Sequence, residues 1–159
     1  MTTAAQIAKH FKDVHFGGNW TCVNMKDTLE NVDWQQATTT VYNLNTIAAL
    51  VFHINYYVGA ISRVLQGMPL EASDKFSFDV PQITSEAAWQ DLVNKTYAEA
   101  EQLSSLIENI ADLKLSEAFT DPKYGSYYRN LQGVTEHTHY HLGQIVLIRK
   151  ILNEMNQDV

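Results

Sequence analysis

The sequence predicts an all-α protein built as a bundle of four long helices. Apolar residues recur at spacings of three and four along most of the chain, as they do on one face of an amphipathic helix. The prolines and most turn-forming residues concentrate in two stretches, 67–84 and 112–125, which we interpret as loops. The 159 residues contain no repeat and no low-complexity tract, so residues 1–159 are expected to form one domain.

The first part of the chain predicts one long helix and one short helix. The long helix covers 3–14, and the glycine pair 17–18 stops it. The short helix begins at Asp33, which has a capping-box spacing to Gln36, and it ends in the β-branched run 38–41.

Three further long helices are predicted downstream. The second long helix covers about 45–66, with Asn45 as its N-cap and Gly67 as its stop. The third runs from position 84 or 85 to about 110, and the fourth covers about 126–156. The loop between the second and third helices is long enough to reach back along a helix, so these two helices can run parallel. The pattern alone leaves their order open.

Charge and cysteine content exclude several classes of function. Eleven Lys and Arg against eighteen Asp and Glu give a net charge of -7, and no dense basic patch offsets it. We therefore expect no binding to nucleic acid or to a membrane surface. The apolar run 47–52 is far shorter than the roughly 20 residues that span a bilayer. The one cysteine, Cys22, cannot form an internal disulfide and is expected to be a small buried residue, so a cytoplasmic location is predicted.

Two histidines interrupt the buried stripe of the fourth helix and predict a metal site. His137 and His141 are four residues apart, so both imidazoles can face one ion lodged between helices. His53 has a similar position at the edge of the apolar stripe of the second helix. Three protein ligands leave coordination positions open, as catalytic metals require. The alternative is a set of ordinary hydrogen-bonded core histidines.

Four polar or aromatic residues are candidates for the surroundings of this site. Gln144 lies two turns after His137 on nearly the same face, and Asn130 lies two turns before it, so either amide can orient a ligand or a bound water. The alternative for both amides is a hydrogen bond at a helix end or at the edge of the bundle. Tyr57 and Tyr127 belong to tyrosine clusters that either line a substrate mouth or pack at the end of the bundle.

The remaining histidines and motifs are given no part in the site. The H-E-x-x-H motif of zinc proteases is absent, because Thr138 follows the first histidine of the pair. His139 projects about 200° from His137 and is expected in solvent or at an interface. His10 is able to approach the core from the first helix, whereas His15 is expected beyond its end.

Four segments resemble one protein family. The stretch 50–57 reads LVFHINYY and the stretch 136–145 reads EHTHYHLGQI, and both resemble the DinB-like family of bacterial four-helix proteins. The segment 121–130, DPKYGSYYRN, and the turn 17–20, GGNW, resemble one branch of that family. The resemblance spans nearly the whole chain. Its most specific part pairs a lone second-helix histidine with a fourth-helix H-x-x-x-H followed by Gly and Gln.

The resemblance implies an up-down-down-up bundle in which His53, His137 and His141 hold a divalent cation, nickel or zinc. Characterised relatives include thiol S-transferases and a maleylpyruvate isomerase that use bacillithiol or mycothiol, and others are described as metal-dependent hydrolases. Homodimers are common among them, so a homodimer is expected here.

The function expected from this resemblance is that of a metal-dependent enzyme activating a thiol or a water for reaction with a small-molecule substrate. Transfer of a low-molecular-weight thiol is preferred by analogy with the family, and hydrolysis is the alternative. A noncatalytic bundle, with core histidines or a structural metal, is the competing class of function.

Overall fold

The computed structural model describes residues 1–155, and over these residues the protein is all-helical. Its six α-helices are α1 (Thr3–Phe16), α2 (Met25–Leu29), α3 (Trp34–Thr38), α4 (Ile47–Leu65), α5 (Glu86–Glu108) and α6 (Tyr127–Met155). Short 3₁₀ turns cover Asp74–Phe76, Asp112–Ser116 and Pro122–Tyr124. Residues 1–155 contain no β-strand, only an isolated bridge between Ala118 and Ser126. The predicted all-α class is confirmed.

Local capping explains where the helices begin. Asp33 and Gln36 form the predicted capping box before α3. The side chain of Thr46, rather than that of Asn45, caps α4, because its hydroxyl accepts a hydrogen bond from the Ala49 amide at 3.2 Å. Ser85 caps α5. The helix α2 was not predicted. The predicted end of α6 at position 156 lies outside the described residues.

The four long helices share one apolar core. The first of them, α1, packs against α5 and α6, and α4 packs against the same two helices. The Trp89 side chain is fully buried, and its indole N–H donates to the carbonyl oxygen of Val32 at 2.7 Å. The largest fully buried side chains include Phe11, Leu50, Ile54, Leu103, Ile107, Leu131, Leu142, Ile145 and Ile148. Because these residues come from all four long helices, burial of one common surface holds the bundle together.

The helix α4 is apolar because it lies in this core. By length and composition alone it is able to cross a membrane, but 67% of its most apolar window is buried inside the protein. Contact with α5 and α6 accounts for that burial.

The loop between α4 and α5 folds back along α4. The Ser73 amide donates to the hydroxyl oxygen of Tyr56 at 2.8 Å, and the Arg63 guanidinium donates to the Glu71 carbonyl oxygen at 3.1 Å. Ser77 is buried, with 1% of its surface exposed. These contacts fix the loop next to the middle of α4.

The helix α1 runs further than predicted and includes His15. The expectation that His15 lies beyond the helix is wrong, because α1 continues to the residue before Gly17. The His15 imidazole is fully buried, donates from Nδ1 to the Phe11 carbonyl oxygen at 3.1 Å, and packs against the Phe11 ring. Its Nε2 has no hydrogen-bond partner among residues 1–155. The pKa of His15 is lowered to about 4, first by burial and in smaller part by the nearby His139, while the hydrogen bond to the Phe11 carbonyl acts in the opposite direction.

We predict that His15 makes folding sensitive to acid. Between its unfolded pKa of 6.5 and its folded pKa of about 4, the unfolded chain binds a proton that the folded chain does not. The stability that neutral His15 contributes is complete above pH 6.5 and is lost as the pH falls towards 4. Lowering the pH from 7 to 5 should therefore reduce the free energy of unfolding by about 2 kcal/mol through this group.

Urea unfolding at pH 7 and pH 5 measures this effect. His15→Leu should lose less stability on acidification than the wild type, whereas His10→Leu, at an exposed position of the same helix, should follow the wild type. Parallel pH profiles for His15→Leu and the wild type would contradict the assignment.

Candidate metal centre

Three histidines from two helices meet between α4 and α6. His53 lies in the middle of α4, and His137 and His141 lie one turn apart on α6. One ligating nitrogen of each ring lies within 4.8 Å of the other two, and the Nε2 atoms of His53 and His137 are 3.0 Å apart. The three distances between ring centroids are 4.8, 4.7 and 4.5 Å. This three-histidine cluster could hold a metal ion.

The three histidines form a polar cluster within the otherwise apolar contact between α4 and α6. His53 and His141 are 7% and 9% exposed, and His137 is half-buried. On α4 the fully buried Leu50 and Ile54 flank His53. Buried imidazoles need partners, and the ones available here are each other and the atoms around them.

Two of the rings are held by oxygen atoms that only accept hydrogen bonds. Nδ1 of His53 lies 3.3 Å from the Ser77 carbonyl oxygen, and Nδ1 of His141 lies 2.7 Å from Oε1 of Gln144. Each Nδ1 must therefore carry the proton, which leaves the Nε2 lone pair for the centre of the cluster. An outer oxygen that fixes the tautomer in this way is typical of imidazoles that bind metal.

The third ring shows why a cation fits. Without an ion, the short contact between the Nε2 atoms of His53 and His137 requires a proton between them, and this proton has to come from His137. Nδ1 of His137 is then an acceptor, and it is buried without a partner in the described chain. A divalent ion would replace this shared proton and accept one lone pair from each of the three rings. The donor set therefore fits a borderline-soft divalent ion.

Burial favours the neutral form of the His53 and His137 imidazoles. The pKa of His137 is lowered to about 4, first by burial and in smaller part by the neighbouring His141 and His53. Burial and His141 also lower the pKa of His53, while the Ser77 carbonyl and the charge of Asp74 act in the opposite direction. An ion would therefore not compete with protons for these two rings at neutral pH.

Aromatic side chains surround the cluster. The Phe78 ring stacks on His53 with a centroid distance of 3.9 Å and an interplanar angle of 10°. Tyr57 packs edge-on against His53 at 5.2 Å and against His137 at 4.9 Å, and its hydroxyl donates to the Asp74 carboxylate. Among the predicted neighbours, Gln144 and Tyr57 thus contact the cluster. Ser77, Phe78 and Asp74 were missed, because a loop shows no periodicity that places it beside a helix.

Two predicted neighbours lie elsewhere on α6. The Asn130 amide donates to the carbonyl oxygens of Tyr124 and Ser126, both at 2.9 Å, which is the helix-terminal hydrogen bond left open as the alternative. Tyr127 is buried against Phe119 at a ring distance of 5.1 Å, which matches the packing alternative. Both residues lie roughly 10–15 Å along the helix from the first histidine of the pair. The structure therefore does not bring Asn130 or Tyr127 to the cluster.

Three other expectations are corrected. Cys22 is exposed rather than buried, because it closes a turn with a φ of 55° in which its amide donates to Asn19. His10 is exposed on α1 and does not enter the core. His139 is half-buried, with its ring 6.0 Å from that of His10, so the solvent alternative is wrong and the interface alternative stays a prediction.

Comparisons of the chain with protein-family models, curated proteins and solved structures gave no match. The resemblance to DinB-like proteins therefore remains a prediction from the sequence motifs. The structure adds an all-helical protein with a three-histidine cluster that could hold a metal ion.

We predict that Gln144 tunes the affinity of this cluster for a divalent ion. Gln144→Leu removes the oxygen that holds the Nδ1 proton of His141, so the affinity for Zn²⁺ should fall about 10- to 100-fold. Competition with a chromophoric chelator measures the change. Gln132→Leu, on the same helix but outside the cluster, should retain the wild-type affinity. Equal affinities for Gln144→Leu and the wild type would show that this hydrogen bond does not support the ligand.

Proposed function

We propose that this chain is a DinB-like metal-dependent enzyme in which His53, His137 and His141 hold a divalent ion, nickel or zinc. The observation that carries the proposal is the convergence of three imidazoles within 4.8 Å. In the described part of the chain the group has three members, with no fourth His, Cys, Asp or Glu. Structural zinc sites use four protein ligands, so three ligands favour a centre with an open position.

We also propose the up-down-down-up order for α1, α4, α5 and α6. Contacts between α1 and α5 support an antiparallel arrangement of these two helices. Asp112, just after α5, accepts hydrogen bonds from the amides of Thr3 and Ala4 at the start of α1, both at 2.9 Å. Further along, the Ser104 hydroxyl of α5 donates to the Ala8 carbonyl oxygen at 3.2 Å. The start of α1 thus lies at the end of α5, and a later residue of α1 contacts an earlier residue of α5. This order of contacts favours an antiparallel arrangement of α1 and α5.

Other contacts support the relative directions of α4 and α5 and of α1 and α6. The Trp34 amide of α3, the helix before α4, donates at 3.0 Å to Glu86 at the start of α5, and α3 also packs on α4. This favours parallel α4 and α5. Near the end of α6, Arg149 donates at 2.8 Å to the Thr28 carbonyl oxygen of α2, the helix that follows α1. This favours parallel α1 and α6.

His53, His137 and His141 would hold the ion, and a divalent ion there would supply a nucleophile at neutral pH by lowering the pKa of a thiol or a water. The chain orients two ligands through Ser77 and Gln144, and Phe78 shields one side of the site from water. Burial and the hydrogen bond to Asp74 raise the pKa of Tyr57 to about 12. Its hydroxyl therefore remains protonated at neutral pH.

We prefer transfer of a low-molecular-weight thiol to a small electrophile, by analogy with the family that the sequence resembles. Hydrolysis by an activated water is the alternative within the same site. A homodimer is proposed on the same resemblance, and a cytoplasmic location on the single cysteine of the chain. The net charge supports the proposal that neither nucleic acid nor a membrane is a partner.

Metal analysis of protein purified without a histidine tag tests the site. We expect about one divalent ion per wild-type chain and less than a tenth of that in His53→Ala and His137→Ala, because each loses a ligand. His10→Ala, which changes an exposed histidine outside the cluster, should retain the wild-type content. Undiminished metal in both ligand variants would reject these ligands.

Activity and melting temperature, each measured with and without a chelator, distinguish a catalytic metal centre from a structural one. An open catalytic centre should support thiol transfer or hydrolysis that chelation abolishes. A large fall in melting temperature on chelation, with no turnover of thiol or ester substrates before it, would instead indicate a structural metal.

A further inference from the structure

A cavity of about 400 Å³ lies between α4 and α5, whereas the histidine cluster lies between α4 and α6. The segment 81–83, just before α5, forms part of its wall. We call this space the α4–α5 cavity. Its volume is in the range of sites that bind small molecules.

One end of the α4–α5 cavity has an acid and a base that do not pair with each other. Gly59 has no side chain, and a Cβ there would lie 3.5 Å from Oε2 of Glu99 and 3.6 Å from Nη1 of Arg63. Both charged atoms are therefore close to the same point, yet the two side chains form no salt bridge among residues 1–155. A ligand with opposite charges on neighbouring groups would fit between them.

Other contacts orient this acid and this base before a ligand arrives. Asn55 is 5% exposed, and its Nδ2 donates to Oε2 of Glu99 at 2.8 Å. Nζ of Lys95 lies 3.8 Å from Oε1 of the same carboxylate, although 62% of the lysine side chain is exposed. The Arg63 guanidinium donates to the Glu71 carbonyl oxygen through Nη2, which leaves Nη1 beside Gly59. Preorganised charges of this kind reduce the cost of binding a ligand.

Apolar side chains line another part of the α4–α5 cavity. Phe52 lies two turns, roughly 10 Å, before Gly59 on the same face of α4. Leu92 of α5 and Ile83 of the preceding segment line the same cavity, and all three apolar side chains are half-buried. An apolar group about as long as a leucine or phenylalanine side chain would cover these surfaces and lose contact with water.

The charged side chains that line the α4–α5 cavity balance each other. Asp91 and Glu99 are acidic, and Arg63 and Lys95 are basic. Such a set favours neither a simple cation nor a simple anion, whereas a zwitterion meets both signs at once. A zwitterion has no net charge, so a divalent ion between α4 and α6 should change its affinity little.

We propose that the α4–α5 cavity binds an α-amino acid with an apolar side chain. The Arg63 guanidinium donates to the carboxylate of this ligand, and the Glu99 carboxylate accepts from its ammonium group. The apolar side chain lies towards Phe52 and Leu92. The site uses none of the three histidines, so it goes beyond the proposed function and does not rest on it.

Titration calorimetry of the full chain tests this site with four probes. These are L-phenylalanine, glycine, 2-phenylethylamine, which lacks the carboxylate, and 3-phenylpropanoate, which lacks the ammonium group. The wild type should bind L-phenylalanine about ten-fold more tightly than either single-charge analogue, because each analogue loses one charge-assisted contact. Glycine should bind about ten-fold more weakly than L-phenylalanine, because it buries no apolar side chain.

Three variants change the two charges and the space between them. Arg63→Gln and Glu99→Gln should each weaken binding of L-phenylalanine about ten-fold. Gly59→Leu should abolish binding, since its side chain would occupy the space between the charges. Glu101→Gln, at an exposed position of α5, and Gly143→Leu, where an added Cβ has open space, are the matched controls and should keep the wild-type affinity. Far-UV circular dichroism confirms that each variant is folded.

A histidine variant separates this inference from the metal centre. His53→Ala should bind L-phenylalanine with the wild-type affinity, and added zinc should not change the affinity of the wild type. Equal affinities for L-phenylalanine and both single-charge analogues would overturn the inference, as would unchanged affinity in Arg63→Gln and Glu99→Gln. Absence of binding at about 10 mM L-phenylalanine, or binding that requires zinc, would also overturn it. None of these outcomes bears on the metal content of the chain.

Discussion

The structure depends on one constraint, that three imidazoles between α4 and α6, two of them buried and one half-buried, need hydrogen-bond or metal partners. Leucine or isoleucine at these positions would satisfy the core, as Leu50 and Ile54 do one turn away and next to His53. Histidines there place lone pairs against one another in a region where unpaired polar atoms are costly. Oxygen atoms of Ser77 and Gln144 accept hydrogen bonds from the Nδ1 atoms of His53 and His141. Burial lowers the pKa of His53 and His137, which favours their neutral form.

Sequence periodicity predicted the helices and the histidines for the same reason. A residue on the buried face of a regular helix is located by counting, so an interruption of the apolar stripe at His137 and His141 is visible without coordinates. The same argument pointed to Gln144, whose Oε1 lies 2.7 Å from Nδ1 of His141. The method fails at helix ends, where Asn130 is on the right face but uses its amide to close the first turn of α6.

Loops set the other limit of prediction. Asp74, Ser77 and Phe78 reach His53 or Tyr57 across long separations in sequence, and no local pattern encodes those contacts. Turn geometry was equally hidden at Cys22, whose positive φ brings its side chain to the surface. The cluster itself was therefore predictable, whereas the groups that surround it required coordinates.

The hydrogen bond between Nδ1 of His53 and the Ser77 carbonyl oxygen affects which sequence changes this protein can tolerate in evolution. A main-chain oxygen is present whatever residue occupies the position, so the tautomer of His53 is inherited from the path of the backbone. Side chains of that loop are then able to drift while the imidazole keeps its orientation. An insertion or deletion that shifts the path by one residue would disturb the histidine far more than most single replacements.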